Sequence, residues 1–173
     1  MQNSRIHPVL LIVLSATLAS CGKSAATLEQ ECAGGGSSSC YAAGEMYLVG
    51  SGLARDSDKA VQLFERACEG RDSKGCAKAT EMFQRACETG RAMACTMLGA
   101  KYLDGFGVPP DSAKAATLFE AACNQNEPVG CSNLAMLYSA GGGVARDPGR
   151  AAQLWRKACQ QGYADACQRA PRQ

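Results

Sequence analysis

The sequence predicts an all-α protein, an α/α solenoid of helix-turn-helix repeats of about 36 residues each, stapled by disulfides. Three observations carry this. Ten of the eleven cysteines in the 173 residues fall into five pairs of one spacing, eight apart: Cys32/Cys40, Cys68/Cys76, Cys87/Cys95, Cys123/Cys131 and Cys159/Cys167. First members of successive pairs are 36, 19, 36 and 36 residues apart, the mark of an internal repeat with one short step. Between the pairs the same residue types return at the same offsets, and the apolar ones follow a helical period.

The elements read off in order. After Cys40 come Ala43-Gly44, Tyr47, Gly50 and Gly52-Leu53; after Cys95, Leu98-Gly99, Tyr102, Gly105 and Gly107-Val108; after Cys131, Leu134-Ala135, Tyr138, Gly141 and Gly143-Val144. These form a first helix of about three turns, with small residues where two helices approach closely. Gly50, Gly105 and Gly141 stop it, because glycine tolerates the left-handed cap conformation. Asp56, Asp111 and Asp147 then stand where a carboxylate would cap the free amides of a second helix. Pro109 and Pro148 lie near that entry, where a missing N–H costs little. In the second helix Ala60, Leu63, Phe64 and Ala67 recur at i, i+3, i+4, i+7, one apolar stripe. Phe119 and Trp155 take the Phe64 place as core. Tyr47, Tyr102 and Tyr138 read as packing between helices, with ligand stacking as the alternative. Lys59, Lys114 and Arg150 read as solvated.

The eight-residue separation has physical content of its own. Along one continuous helix eight residues advance about 12 Å, beyond the roughly 7 Å that a disulfide spans between Cα atoms. The chain must therefore reverse inside each pair. Three residues after the first cysteine stand Gly35, Gly90, Asn126 and Gly162, types that accept a left-handed turn; in the Cys68 pair Gly70 comes one position early and Arg71 takes the place. Each bridge then staples the end of a second helix to the start of the next first helix. The competing reading, a metal site, wants closely spaced C-x2-4-C knuckles rather than C-x7-C.

The short step is a truncated unit near 69–87. Lys78 through Cys87 aligns with Lys114 through Cys123 without a gap, so the 17 missing residues are a first helix with its glycine turn. A kink or change of curvature is expected near 70–92. At the ends, Ala25–Glu31 supplies only a weak half-helix, and few residues follow Cys167.

Residues 1–20 carry Arg5 and then an apolar run from Val9 to Leu18, about half the length of a membrane-spanning helix, and read as a signal peptide. The run ends in Leu18-Ala19-Ser20-Cys21, which resembles a bacterial lipobox. Cys21 would then be lipidated and become the first mature residue, held by lipid alone. An ordinary secretory leader is the alternative. Residues 21–31 read as a lipidated linker, and 32–173 as the repeat array. The location implied is the bacterial cell envelope, lipid-anchored with the outer membrane or periplasm favoured, or secreted. An oxidising compartment also fits the cysteine content. The only histidine, His7, lies in the leader, so the mature chain has no imidazole for a triad, a Cys-His pair or a zinc ligand. A formal charge of +2 argues against a nucleic-acid partner.

The elements L-G/A-x-x-Y-x-x-G-x-G-V, D-x-x-K/R-A and A-C-x7-C, over about residues 32–170, resemble the Sel-one-like repeat family, a relative of the tetratricopeptide repeats. Within it they are most similar to the secreted, disulfide-stapled Helicobacter cysteine-rich branch. The resemblance implies a right-handed solenoid of paired antiparallel helices, and as an alternative function a penicillin-binding protein or weak β-lactamase. Ser20-Cys21-Gly22-Lys23 matches the serine-lysine motif of such enzymes but straddles the cleavage site, and neither S-D-N nor K-T-G follows. The reading is therefore a scaffold that binds a protein, a peptide or a cell-wall fragment, with no catalytic residue, cofactor or metal assigned. In a solenoid the first helices tend to line the concave face where partners dock. The candidate binding residues are those that differ between units there: Glu45, Met46, Thr96, Lys101, Asn133 and Met136.

Overall fold

The computed structural model describes residues 22–170. The signal peptide and Cys21 lie outside the described residues. Nine helices follow one another in the described residues: α1 (Ala25–Ala33), α2 (Ser37–Val49), α3 (Ser57–Glu69), α4 (Ser73–Glu88), α5 (Ala92–Asp104), α6 (Ser112–Asn124), α7 (Pro128–Ala140), α8 (Pro148–Gln160) and α9 (Ala164–Arg169). Consecutive helices pack against each other throughout, and α2 also touches α4 as α5 touches α7. The first helices are α2, α5 and α7; the second helices are α3, α6 and α8.

The punctuation is the one the sequence encodes. Gly50, Gly105 and Gly141 end the first helices with φ of 78°, 74° and 80°. Asp56, Asp111 and Asp147 accept hydrogen bonds from the amides of Lys59, Lys114 and Arg150 at 2.9 Å, capping the second helices. Pro148 opens α8. In the first two matched units the two helices meet glycine against ring, Gly44 on Phe64 and Gly99 on Phe119. A Cβ on Gly99 would lie 2.6 Å from the ring of Phe119, so no larger residue fits at that crossing. Phe64 and Phe119 are fully buried in one core that runs from α3 to α7. Trp155, in the last matched unit, is only partly covered.

All five disulfides join the cysteines eight apart, with Cα separations of 4.4 to 4.7 Å. The third residue after each first cysteine is left-handed, including Arg71 and Asn126, both at φ 63°. The turn is thus the same in all five pairs, whatever residue occupies it. At the amino end α1 begins at Ala25, capped by Ser24, inside the stretch read as linker. Its Cys32 is the next-to-last residue of the helix, as Cys68, Cys123 and Cys159 are in theirs, so α1 is the closing half of a second helix.

The truncated unit consists of α4 alone. Cys76 is the fourth residue of α4, the place that Cys40, Cys95 and Cys131 hold in first helices. Cys87 is its next-to-last residue, the place of a cysteine in second helices. This one helix of 16 residues therefore begins as a first helix and ends as a second helix. It is the only described helix held by a disulfide at each end. The loop after α5 docks on it as the loop after α7 docks on α6. Gly107 lies against the carbonyl of Cys76, and Gly143 against that of Ser112, which is the aligned position.

Candidate binding surface

The six candidate residues do not form one patch. Met136 on α7 is exposed, and Asn133, one turn before it, is partly so. Met46 and Glu45 on α2 are half-covered, and Oε1 of Glu45 is enclosed with no hydrogen-bond partner among the described residues. Thr96 is buried and spends its hydroxyl on Glu127, donating to Oε2 at 2.7 Å. That carboxylate also accepts from the amides of Val129 and Gly130, capping α7 and tying it to α5. Lys101 is 14% exposed in its side chain and lies 3.4 Å from Glu65 of α3. Two exposed side chains of α5 that sequence reasoning passed over, Met93 and Met97, complete the strip with Asn133 and Met136. Their signal was register: Met97 follows Cys95 by the same two residues that separate Asn133 from Cys131.

The recurring tyrosines pack between helices and each also carries a cation. Lys59 sits 4.3 Å from the ring centre of Tyr47, Lys114 4.3 Å from that of Tyr102, and Arg150 4.8 Å from that of Tyr138. Lys59, Lys114 and Arg150 are therefore not simply solvated. The electrons of the ring face attract the cation, and the pair bridges first and second helix. In the first unit the Tyr47 hydroxyl also donates to Glu29 at 2.6 Å and accepts from Lys59 at 2.7 Å. Glu29 is 2.8 Å from Lys59. These bonds, Lys59's first and Tyr47's second, hold the Glu29 carboxyl below its ordinary pKa, and Glu29 in turn raises that of Lys59. In the last full unit Glu120 pairs with Arg150 at 3.0 Å.

A groove of about 510 Å³ opens beside α4. Its floor is apolar: Leu48 from the end of α2, Val61 of α3, Met82 and Ala86 of α4, and Met93 of α5. Its lining comes from α2, α3, α4 and α5, the elements around the truncated unit. At its rim Asp58 of α3 pairs with Arg91 at 3.6 Å, both largely exposed, and α3 and α5 are joined a second time by Glu65–Lys101. Among the described residues no group of three His, Cys, Asp or Glu side chains is placed to hold a metal ion. No described helix is long and apolar enough to cross a membrane.

The Sel1 repeat model matches residues 37–72, 92–127 and 128–163, more than half of the sequence. The chain belongs to the Sel1 repeat family. The three matched Sel1 repeats are α2 with α3, α5 with α6, and α7 with α8; the interval between the first two matches is α4 and its following turn. Among solved structures, Helicobacter pylori cysteine-rich protein B is 33% identical with a TM-score of 0.53, over 65% of this chain and 94% of that one. The protective antigen c5321 of uropathogenic Escherichia coli, described as displaying an SLR fold, is 25% identical with a TM-score of 0.53; the match takes in 86% of this chain but only 35% of the antigen. A Sel1 repeat protein from Oxalobacter formigenes is 20% identical with a TM-score of 0.51, covering 82% of this chain and 63% of that one, and shares the fold. No curated protein sequence matches the chain.

Proposed function

We propose that this Sel1 repeat protein is an extracytoplasmic, lipid-anchored scaffold that holds a protein or peptide partner on its first-helix layer. The observation that carries the reading is the strip of exposed Met93, Met97 and Met136 on successive first helices, beside an apolar-floored groove. Methionine is flexible and polarisable, and surfaces that adapt to a partner favour it. Second helices present instead polar residues at one outward repeat position, Gln62, Thr117 and Gln153. Five disulfides support an oxidising compartment. Acylation at Cys21 supplies the anchor.

Photo-crosslinking in the envelope tests the partner claim. A crosslinking residue at Met97, Asn133 or Met136 is expected to capture one partner, and the same residue at Gln62, Thr117 or Gln153 is expected to capture none. Capture only from the second helices, or from neither set, overturns the reading. Radiolabelled fatty acid should enter the wild type and not Cys21→Ser.

A further inference from the structure

A complete Sel1 repeat seats its first helix against the second helix before it, its own second helix, and the first helices on either side. For the truncated unit those elements are α3, α4, α2 and α5, and all four line the groove. We propose that this groove receives one amphipathic helix with an acidic flank, supplied by a partner protein, in the place of the helix that the unit lacks. The inference rests on the reading of the chain as a partner-binding scaffold; the groove adjoins the methionine strip and shares Met93 with it.

Size and charge select the occupant. A helix of 13 residues, the length of α5 and α7, is about 20 Å long and about 10 Å wide, on the order of 1,500 Å³. The groove volume of 510 Å³ is about a third of that, the share taken by one apolar face. A helix lying in it would bury its stripe on Leu48, Val61, Met82 and Met93 and leave the rest in water. The rim carries Arg55, Lys78, Arg85 and Arg91 against Asp58 and Glu81, two cations in excess. Glu81 already serves both Lys78 and Arg85, at 3.3 and 2.5 Å. Carboxylates on the flank of the incoming helix would meet those cations. Basic flanks would meet like charge.

The probe is a synthetic peptide copying residues 128–140, with Cys131→Ala, Asn133→Glu, Met136→Glu and Ala140→Glu; a second peptide carries lysine in place of the three glutamates. Titrated into the full oxidised chain, the acidic peptide is expected to bind, to gain helical circular dichroism, and to shift the methyl resonances of Met82 and Met93. The lysine peptide should bind at least tenfold more weakly. Inserting a copy of residues 96–112 between Cys76 and Ala77 restores a full unit, fills the groove, and should weaken binding at least tenfold. The surface variant Arg85→Glu with Arg91→Glu, which leaves the core untouched, should do the same. Equal affinity for the two peptides, undiminished binding by the inserted chain, binding without helix formation, or a wild type whose groove is closed by self-association would each overturn the proposal. Crosslinking from Met97, Asn133 and Met136 that survives the insertion would leave the scaffold reading standing without it.

Discussion

The ammonium of Lys101 on α5 lies 3.4 Å from the carboxylate of Glu65 on α3, a direct link between the helices on either side of α4. Both side chains are largely covered, at 14% and 26% exposure, whereas the second pair, Arg91–Asp58, stands at 71% and 85%. Water screens the second pair and leaves it close to zero net value; it screens the first much less. A double-mutant cycle on Lys101→Met and Glu65→Gln, read by denaturant unfolding, should give a coupling of about 1 kcal/mol. The cycle on Arg91 and Asp58 should give less than about 0.5 kcal/mol. Equal couplings would mean that burial does not govern the link between α3 and α5.

Thirty residues before two of the three ring-bound cations stands an acidic partner: Glu29 before Lys59 and Glu120 before Arg150. Before Lys114 the same place holds Gln84, whose amide donates to Glu88 at 3.0 Å. Lys114 has no ion pair among the described residues. Gln84→Glu would complete the series at the cost of a like charge four residues from Glu88. A gain of at most about 0.5 kcal/mol is expected, since Lys114 is exposed. It should vanish in high salt and in the Lys114→Met background. A gain that persists in that background would assign the effect to α4 itself.

Most of the architecture was legible because its signals are local and repeat. Asp56, Asp111 and Asp147 announce their helices within three residues, and a spacing of eight forces a reversal that needs no tertiary knowledge. What escaped depends on pairing between helices. The cations looked solvated because each was judged on its own helix, yet Tyr47–Lys59, Tyr102–Lys114 and Tyr138–Arg150 are all twelve apart, a regularity present in the sequence. The dual character of α4 escaped because alignment with Lys114–Cys123 explained only its second half; Asp72 and Cys76 match a first-helix start equally well. Thr96 and Lys101 varied between units, as a binding residue would. Thr96 varies because Glu127 is an individual partner, whereas Glu65, the partner of Lys101, holds the same repeat place as Glu29 and Glu120.

Arg71 carries φ of 63° while Gly70 beside it sits at −76°. Glycine is therefore spent on the residue that needs space, since a Cβ on Gly70 would lie 2.6 Å from that of Ser37. Arginine bears the left-handed strain instead. Arg71→Gly should stabilise the protein by about 0.5 kcal/mol, the relief offset in part by a more flexible unfolded chain. Gly70→Ala should destabilise it by about 1–2 kcal/mol through overpacking. Thermal unfolding of the two variants checks the order, and the opposite signs would exchange the two roles.

The lowered pKa of Glu29 makes a signed prediction. A carboxyl whose folded pKa lies below its unfolded value stabilises the fold above the unfolded value, ordinarily 4.5, and loses that contribution as pH falls through the folded one. The difference in unfolding free energy between wild type and Glu29→Gln should therefore be constant near neutrality and shrink below about pH 4.5. Lys59, with its pKa raised, keeps its contribution through neutrality and loses it only above the ordinary lysine range. A difference that grows on acidification would mean that Glu29 is better accommodated protonated.

The bridges Cys68–Cys76 and Cys123–Cys131 close loops of identical length, so chain entropy assigns each the same value, about 2–3 kcal/mol. Their surroundings differ. Without its bridge α7 still packs on α5, α6 and α8, and α4 on α2, α3 and α5, but α4 also has an open groove along one side. Replacing both members of a pair by alanine should cost similar global stability in the two cases. Local opening should not be similar. Amide exchange in α4 should accelerate more after loss of Cys68–Cys76 than exchange in α7 does after loss of Cys123–Cys131, because the groove leaves one side of the freed helix uncovered. In the intact protein the same logic places the fastest helical exchange between Ser57 and Gln160 in the half of α4 that faces the groove. Equal acceleration in α4 and α7 would show that the remaining contacts of α4 with α3 and α5 replace the missing helix, and that its two disulfides are redundant with packing.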